Sequence, residues 1–520
     1  LPFLLGLLSG IYFISFNVIG VSFTHYPGDL IDARFNNYLL EHAHLFFSGK
    51  LDSFWSAPFM FPEKNVISYS DNLLGSAPFY SLFRFLGCDR ETAFQAWYLF
   101  VCFLNYSACY LFLYVVFRNH YSAVIGAFIF AFSMALQAQL GHAQTFARYP
   151  IPLTFLMAYL YLKELKPVYF FAAILFLVYQ IYCGIYIGFM LIIPVALFFV
   201  LSIYFKWGVY KTKFKKARWY LLMLLGLLVN VLILLPLMLP YLERAKALGL
   251  YSYEYVSKSL LTPLSYFFSW KGSLIWDFIS GIGTHYEWYT NFQIFPGAVA
   301  TLCVIGFGVI YIYKNWISKN SFPLFEFTPN TLLFFWMGVF TFLFFVRFGD
   351  TSLYKIIFLL PGYGSLRALQ RIITVELFFY AIATAFLLSY FFRKKNTKTR
   401  ILFLLCLVLV ICDNYVKEDY IHRHEKADTK SRVNLLMTKL KHVPKHAVVS
   451  YEPDSLYSSV NDYHLDAMLA TQSLDLISLN GYSANSPNGF DVFWVKPNEA
   501  NRLFWLKTKG IPSQKIYPIK

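Results

Sequence analysis

Charge is what this sequence has least of. Lys, Arg, Asp and Glu make up 14% of its 520 residues, against about 25% in an ordinary soluble domain. The mean hydropathy is +0.52. A soluble globular fold is therefore excluded, and the chain reads as a polytopic membrane protein. Cysteine is sparse as well. The seven cysteines form no CxxC pair and no Cys/His ligand spacing, and five (Cys102, Cys109, Cys183, Cys303, Cys406) lie inside apolar runs. That leaves no disulfide framework and no zinc site to expect. The chain starts at Leu1 rather than Met, so no signal peptide is read from its first residues.

Apolar residues dominate, at 58%, and Phe (57) and Tyr (40) are abundant. Runs long enough to cross about 30 Å of hydrocarbon fall near 1–23, 92–117, 123–138, 151–163, 168–182, 184–205, 219–239, 297–313, 331–346, 372–392 and 401–412. The aromatics suit belts at the two interfaces. The net charge of +16 is explained by its distribution, so nucleic acid is not an expected partner. Alternate loops, led by "KWGVYKTKFKKAR" (206–218) and "RKKNTKTR" (393–400), hold 16 Lys/Arg and two acids. The remaining loops (24–91, 139–150, 240–296, 347–371) hold 14 Lys/Arg and 13 acids in more than three times the length. By the positive-inside rule the first set is cytoplasmic and the second lies outside.

The tail from 413 to 520 carries 26 charged residues and no apolar span. A strand over 445–451 and helices over 462–474 and 497–510 make it a small α/β unit. The expected architecture has two parts. Residues 1–412 form a membrane domain of about eleven transmembrane helices with long outer loops, and 413–520 form a C-terminal extracytoplasmic α/β domain.

The first outer loop opens with "GDLIDARFNNYLLEH" (28–42). Asp29 is placed to cap a helix starting near Leu30. Along it Ile31, Phe35, Tyr38, Leu39, His42, Leu45 and Phe46 share one face at spacings of three and four. Asp29, Asp32, Asn36 and Asn37 lie opposite. Such a helix is expected to rest on the membrane surface, its polar side toward water or a cavity under the outer domain. Glu41 sits near the edge, where solvent explains it. Short Asp and Asn side chains are unusual for a purely solvated face. The same loop holds a second polar group, "YSDNLLGSAP" (69–78), with Asp71 and Asn72.

A span, an outer loop opening with acids on a juxtamembrane helix, alternating spans and an outer soluble domain together resemble the GT-C superfamily of integral-membrane glycosyltransferases. The stretch "GDLIDARFNNYLLEH…FWSAPFMFPEKNVISYSDNLLGSAPFYSLFR" is similar to the first outer loop of bacterial members. "HAQTFARYPIPL" (142–153), "IFPGAVATLCVIGF" (294–307), "LPGYGSLRALQRI" (360–372) and "LNGYSANSPNGF" (479–490) are similar to further family segments. The resemblance implies a sugar taken from a polyprenyl-phosphate donor to a glycan, lipid or protein acceptor by inverting displacement, on the outer side of a bacterial inner membrane. It implies an acid of the first loop as catalytic residue, here Asp29 or Asp32. This chain has Asp-x-x-Asp, not an adjacent acidic pair.

That chemistry needs a carboxylate to take the acceptor proton and cations for the departing phosphate, best a bidentate Arg. Arg367 and Arg371, one helical turn apart before a span, are the first candidates for the phosphate. Arg148 and His142 come next. Asp71 and Glu287, the latter in "GTHYEWYTNFQ" (283–293), are candidate substrate-binding residues. Glu376, inside a predicted span, is expected to pair with Arg371 or Arg148. Membrane lipids are expected partners. A divalent cation such as Mg or Mn serves some GT-C enzymes and not others, and no ligand spacing here decides it. A transporter or flippase is the alternative, but such proteins place polar groups near the bilayer midplane on interrupted helices. The predicted spans here carry almost no charge.

Overall fold

The computed structural model describes residues 1–520 apart from 214–215, 285–288, 318–324, 395, 455–457 and 513–515. It is a helical membrane protein. Seven helices are long and apolar enough to cross a membrane: Pro2–Ile19, Arg90–Phe117, His120–Gln139, Ile185–Phe205, Ala217–Leu248, Ala298–Trp316 and Leu369–Phe391. Pro167–Cys183 and Pro329–Phe345 are apolar but shorter. The helices Pro150–Glu164 and Thr397–Asn414 cover the remaining two of the eleven expected runs, and the expected count exceeds the seven that meet the length criterion.

Burial sorts these helices. The most apolar stretches of His120–Gln139 and Leu369–Phe391 are 89% and 78% buried, and they lie at the centre of the bundle. The corresponding stretches of Ala217–Leu248 and Ala298–Trp316 are only 17% and 11% buried. Their leucines, Leu224, Leu228, Leu232 and Leu302 among them, are exposed. An apolar side chain left outward on a helix of this length is at home against lipid tails.

The tail does form the expected strand and helices: Val448–Tyr451, Val460–Ser473 and Glu499–Thr508. Val448–Tyr451 is the middle strand of a three-stranded parallel sheet, flanked by Ile477–Ser478 and Ile516–Ile519. The boundary at 412/413 falls inside a helix, Thr397–Asn414. Asp413 accepts from the backbone N–H of Ala298 and Val299, both at 2.9 Å, and so caps the start of a bundle helix.

The tail and the first outer loop are also built into one another. His25–Pro27 pairs antiparallel with Arg423–Glu425. Pro58 and Phe61 exchange backbone hydrogen bonds with Ser478. Gly28 has φ +88°, and a Cβ there would lie 2.5 Å from the Leu140 carbonyl oxygen. Only glycine lets the chain turn so close to the 140–141 backbone.

The helix opened by "GDLIDARF" runs from Asp32 to Phe47. It does not rest on the membrane surface. Every residue from Ala33 to His44 is buried, because the helices Ala77–Phe85 and Arg90–Phe117 and the tail helix Val460–Ser473 all pack on it. Arg34 forms an ion pair with Asp466, which also binds Arg432 at 2.7 Å. Gln472 donates to the Tyr38 carbonyl oxygen at 3.1 Å. Glu41 is not solvated either: it accepts from Tyr80 at 2.6 Å and from Arg84 at 2.8 Å.

Candidate functional site

The first turn of this helix meets a cavity of about 600 Å³. Its walls come from the first outer loop, the helix starts at Ile185 and Leu369, the end of Ala217–Leu248, and the 482–486 stretch of the tail. Each of those three helices has its other end at or near a Lys/Arg-bearing run: 206–218 after Phe205 and into the start of Ala217–Leu248, and 393–400 after Phe391. A 21-residue helix is about 31 Å long, so the cavity and the basic loops sit at opposite ends of the bundle.

Asp32 and Asp71 both line the cavity. Asp32 is the first residue of its helix, and its side chain keeps 31% exposure, into the cavity. Oδ1 accepts from the Tyr482 hydroxyl at 2.6 Å. Oδ2 lies 3.1 Å from His142 Nδ1. Burial alone would push this carboxyl up. Contact with His142, the Tyr482 hydrogen bond and the Arg371 charge outweigh it and hold Asp32 below the usual carboxylate range. Burial in turn lowers the pKa of His142, as does the nearby Arg371 charge.

Asp29 has a different job. Its Oδ1 accepts from the N–H of Ile31 (3.1 Å) and Ala33 (3.3 Å), and it is not among the lining residues. The helix starts at Asp32 rather than near Leu30, with Asp29 holding its first N–H groups.

Asp71 is more enclosed. Its Oδ1 accepts from the N–H of Ile185 at 2.8 Å and of Asn72 at 3.0 Å. Oδ2 is buried without a hydrogen-bond partner. Burial pushes its carboxyl up to about 6, against the pull of the Ile185, Asn72 and Tyr186 N–H groups and of Arg371.

Arg367 and Arg371 line the same cavity. They do not share one turn of α-helix. Arg367 precedes a 3₁₀ turn, Leu369–Ile372, that holds Arg371. Arg371 lies 5.2 Å from the Tyr186 ring centre, and Arg367 donates to the Ala484 carbonyl oxygen at 2.9 Å. Among the described residues, neither has a carboxylate within 4.0 Å. A guanidinium without a carboxylate partner, facing a polar cavity, is placed to bind an anion.

Three expectations fail in this structure. Arg148 does not line the cavity. It is buried, donates to the Phe130 carbonyl oxygen at 3.1 Å and stacks 5.3 Å from that ring centre. Glu376 pairs with neither arginine: Tyr266 donates to it at 2.7 Å. His142 contacts Asp32 from behind rather than lining the wall. Glu287 lies outside the described residues.

The tyrosines were missed in the sequence. Tyr69, Tyr186, Tyr241, Tyr251 and Tyr482 all line the cavity. In sequence they look like interfacial aromatics, and only the turn-rich run around Tyr482 marks its segment. Arg244 was missed too, but it is occupied. It binds Glu63 at 3.3 Å and stacks 3.7 Å from the Tyr69 ring centre.

Among the described residues no group of three or more His, Cys, Asp or Glu side chains is placed to hold a metal ion. The Asp32 oxygens face Tyr482 and His142, and Asp71 Oδ1 faces two N–H groups.

No protein-family model matches the chain, and no curated protein matches it. Among solved structures it is similar to the arabinofuranosyltransferase AftD from Mycobacteria, at 13% identity and a TM-score of 0.47, over 87% of this chain and 29% of AftD. It is similar to the Archaeoglobus fulgidus oligosaccharyltransferase tethered with an acceptor peptide, at 13% identity and 0.48, over 98% of this chain and 68% of that one. The archaeal oligosaccharyltransferase AglB from Archaeoglobus fulgidus, in complex with an inhibitory peptide and a dolichol-phosphate, gives 12% and 0.47 over the same shares. The chain thus spans under a third of AftD and about two thirds of the oligosaccharyltransferase, and these similar structures are glycosyltransferases by name.

Proposed function

We propose that this protein is a membrane glycosyltransferase that moves a sugar from a polyprenyl-phosphate donor to an acceptor hydroxyl on the extracytoplasmic side. One observation carries the reading. Two carboxylates and two arginines free of carboxylate partners face one cavity, at the end of the bundle away from the basic loops. The acids and the arginines divide the work. Arg367 and Arg371 bind the phosphate of the donor, where negative charge grows as the bond to the sugar breaks. Phe189, Met238, Leu242 and Leu248 line the same cavity and offer an apolar path for the prenyl chain.

Asp32 is the base. Held below the usual carboxylate range, it is ionised at neutral pH and within reach of an acceptor in the cavity. The acceptor oxygen attacks the anomeric carbon from the face opposite the phosphate. The bond from that carbon to the phosphate oxygen breaks, polyprenyl phosphate leaves, and the acceptor proton passes to Asp32. Asp71, on the same wall, adds a second negative charge opposite Arg371 and helps hold that guanidinium toward the cavity. A transporter has less support, because these groups collect at one end of the helices and not at mid-span.

The test is turnover by the purified protein in proteoliposomes, with a panel of polyprenyl-phosphate sugars and simple glycoside acceptors. Acceptor-dependent release of polyprenyl phosphate is expected, with inverted anomeric configuration by NMR. Translocation of the lipid-linked sugar without release would contradict the reading.

A further inference from the structure

The 479–490 segment enters the cavity from the tail, and its local sequence explains how. Asn480 fixes the backbone, accepting from Tyr451 N–H at 2.7 Å and donating to the Tyr451 carbonyl oxygen at 2.9 Å. Gly481 follows against Met60, where a Cβ would lie 2.2 Å from Met60 Cγ. Only glycine lets the chain pass there. The Tyr482 N–H then points back at the helix Val460–Ser473, 3.1 Å from Met468 Sδ. The Tyr482 ring meets Phe35 edge-on at 5.4 Å. Ring and backbone are both held, and the hydroxyl arrives on Asp32 from 450 residues further along the chain.

We propose that Tyr482 is the positioning residue that aims the Asp32 carboxylate at the acceptor hydroxyl. The inference rests on Asp32 being the base. A carboxylate at a helix start rotates freely unless both oxygens are held. Here Tyr482 holds Oδ1 and His142 stands at Oδ2. Each oxygen keeps a second lone pair, and the one facing the cavity is open to an acceptor. Because a phenol donates to the ionised carboxylate, the same contact favours the charged form a base needs.

Asp32 is faced by His142 from the 140–149 loop, by Tyr482 from the tail and by Arg371 from the helix start beyond the cavity. Asp29, on its own turn, bears on both His142 and Tyr482. Asp71, across the cavity, bears on Arg371. Of these, only Tyr482 can lose its hydroxyl without loss of its ring contact.

The experiment is Tyr482→Phe in the full chain in proteoliposomes, beside wild type and Asp32→Asn. The ring contact with Phe35 is retained. The expected result is a fall in kcat of about 10- to 100-fold, the worth of a hydrogen bond to a charged group, with donor KM unchanged. The acid limb set by Asp32 moves to higher pH, since removal of the hydroxyl leaves burial less opposed. A fall near pH 6 is assigned to Asp71, whose carboxyl burial pushes up to about 6, and is not the limb read here. The limb position is independent of the active fraction, so a loss of yield does not obscure it. If Asp32→Asn is inactive while Tyr482→Phe keeps wild-type kcat and an unmoved limb, the inference is overturned and Asp32 stands. If Asp32→Asn retains full kcat, the base assignment itself falls.

Discussion

Asp71→Asn is expected to stabilise the protein while impairing it. The carboxyl is pushed up to about 6 from an ordinary 3.8. That is a shift of roughly 2 units, or about 3 kcal/mol of unfavourable free energy for the ionised form. The sign follows from proton binding. Between about pH 4 and pH 6 the folded state holds the proton and the unfolded state has released it. Wild-type stability therefore falls across this window as pH rises, and the loss is complete above it. Asparagine never ionises and escapes that loss. It is also nearly the same shape, and its Oδ1 still accepts from Ile185 and Asn72. The assay is the melting midpoint of purified protein in detergent at pH 4.5 and pH 7.5, with turnover measured in parallel. The variant should melt higher at pH 7.5, by on the order of a few degrees, with a gap about a third as large at pH 4.5, where the unfolded carboxyl has already released most of its proton. Turnover should fall, because a buried carboxylate retained at a cost to stability has a use in the cavity. An equal or lower midpoint at pH 7.5, or the same gap at both pH values, would refute the reasoning.

Two further predictions separate neighbours that look alike in sequence. Arg371→Lys keeps the charge and loses the planar fork, so donor KM should rise about tenfold or more, with acceptor KM little changed; unchanged donor kinetics would remove Arg371 from the phosphate role. Asp29→Ala should cost about 1 kcal/mol of stability through its two lost cap bonds yet retain turnover, and a well-folded but inactive Asp29→Ala would move the base away from Asp32.

The bundle was legible because bilayer thickness sets the length of an apolar run, whatever packs beside it. Each of the eleven expected runs overlaps a helix, and the basic loops fall at the ends of helices whose other ends meet the cavity. The first outer loop was legible only in part. Its helix has the expected periodicity, but Asn36, Asn37 and Glu41 are buried: Tyr80 and Arg84 hold Glu41, and residues more than 400 positions later reach Asp32, Arg34 and Tyr38. Periodicity reports a face and not what lies against it. The same distance hid Tyr482, whose partner Asp32 is in the first tenth of the chain. Arg148 failed for a related reason. A short outer loop was expected to expose it, but the 139–150 segment folds into the bundle and leaves its guanidinium on the Phe130 carbonyl. The different surroundings of Asp29 and Asp32 needed three-dimensional information: three residues of spacing separate a cap from a group that faces a cavity.

Asp32→Asn tests the central claim most directly. The substitution keeps size and an acceptor oxygen for Tyr482, and removes only the ability to take a proton at working pH. Transfer from a polyprenyl-phosphate sugar should fall by about 1000-fold or more, with the melting midpoint and donor binding close to wild type. A variant that binds donor and still transfers sugar at the wild-type rate would contradict the account.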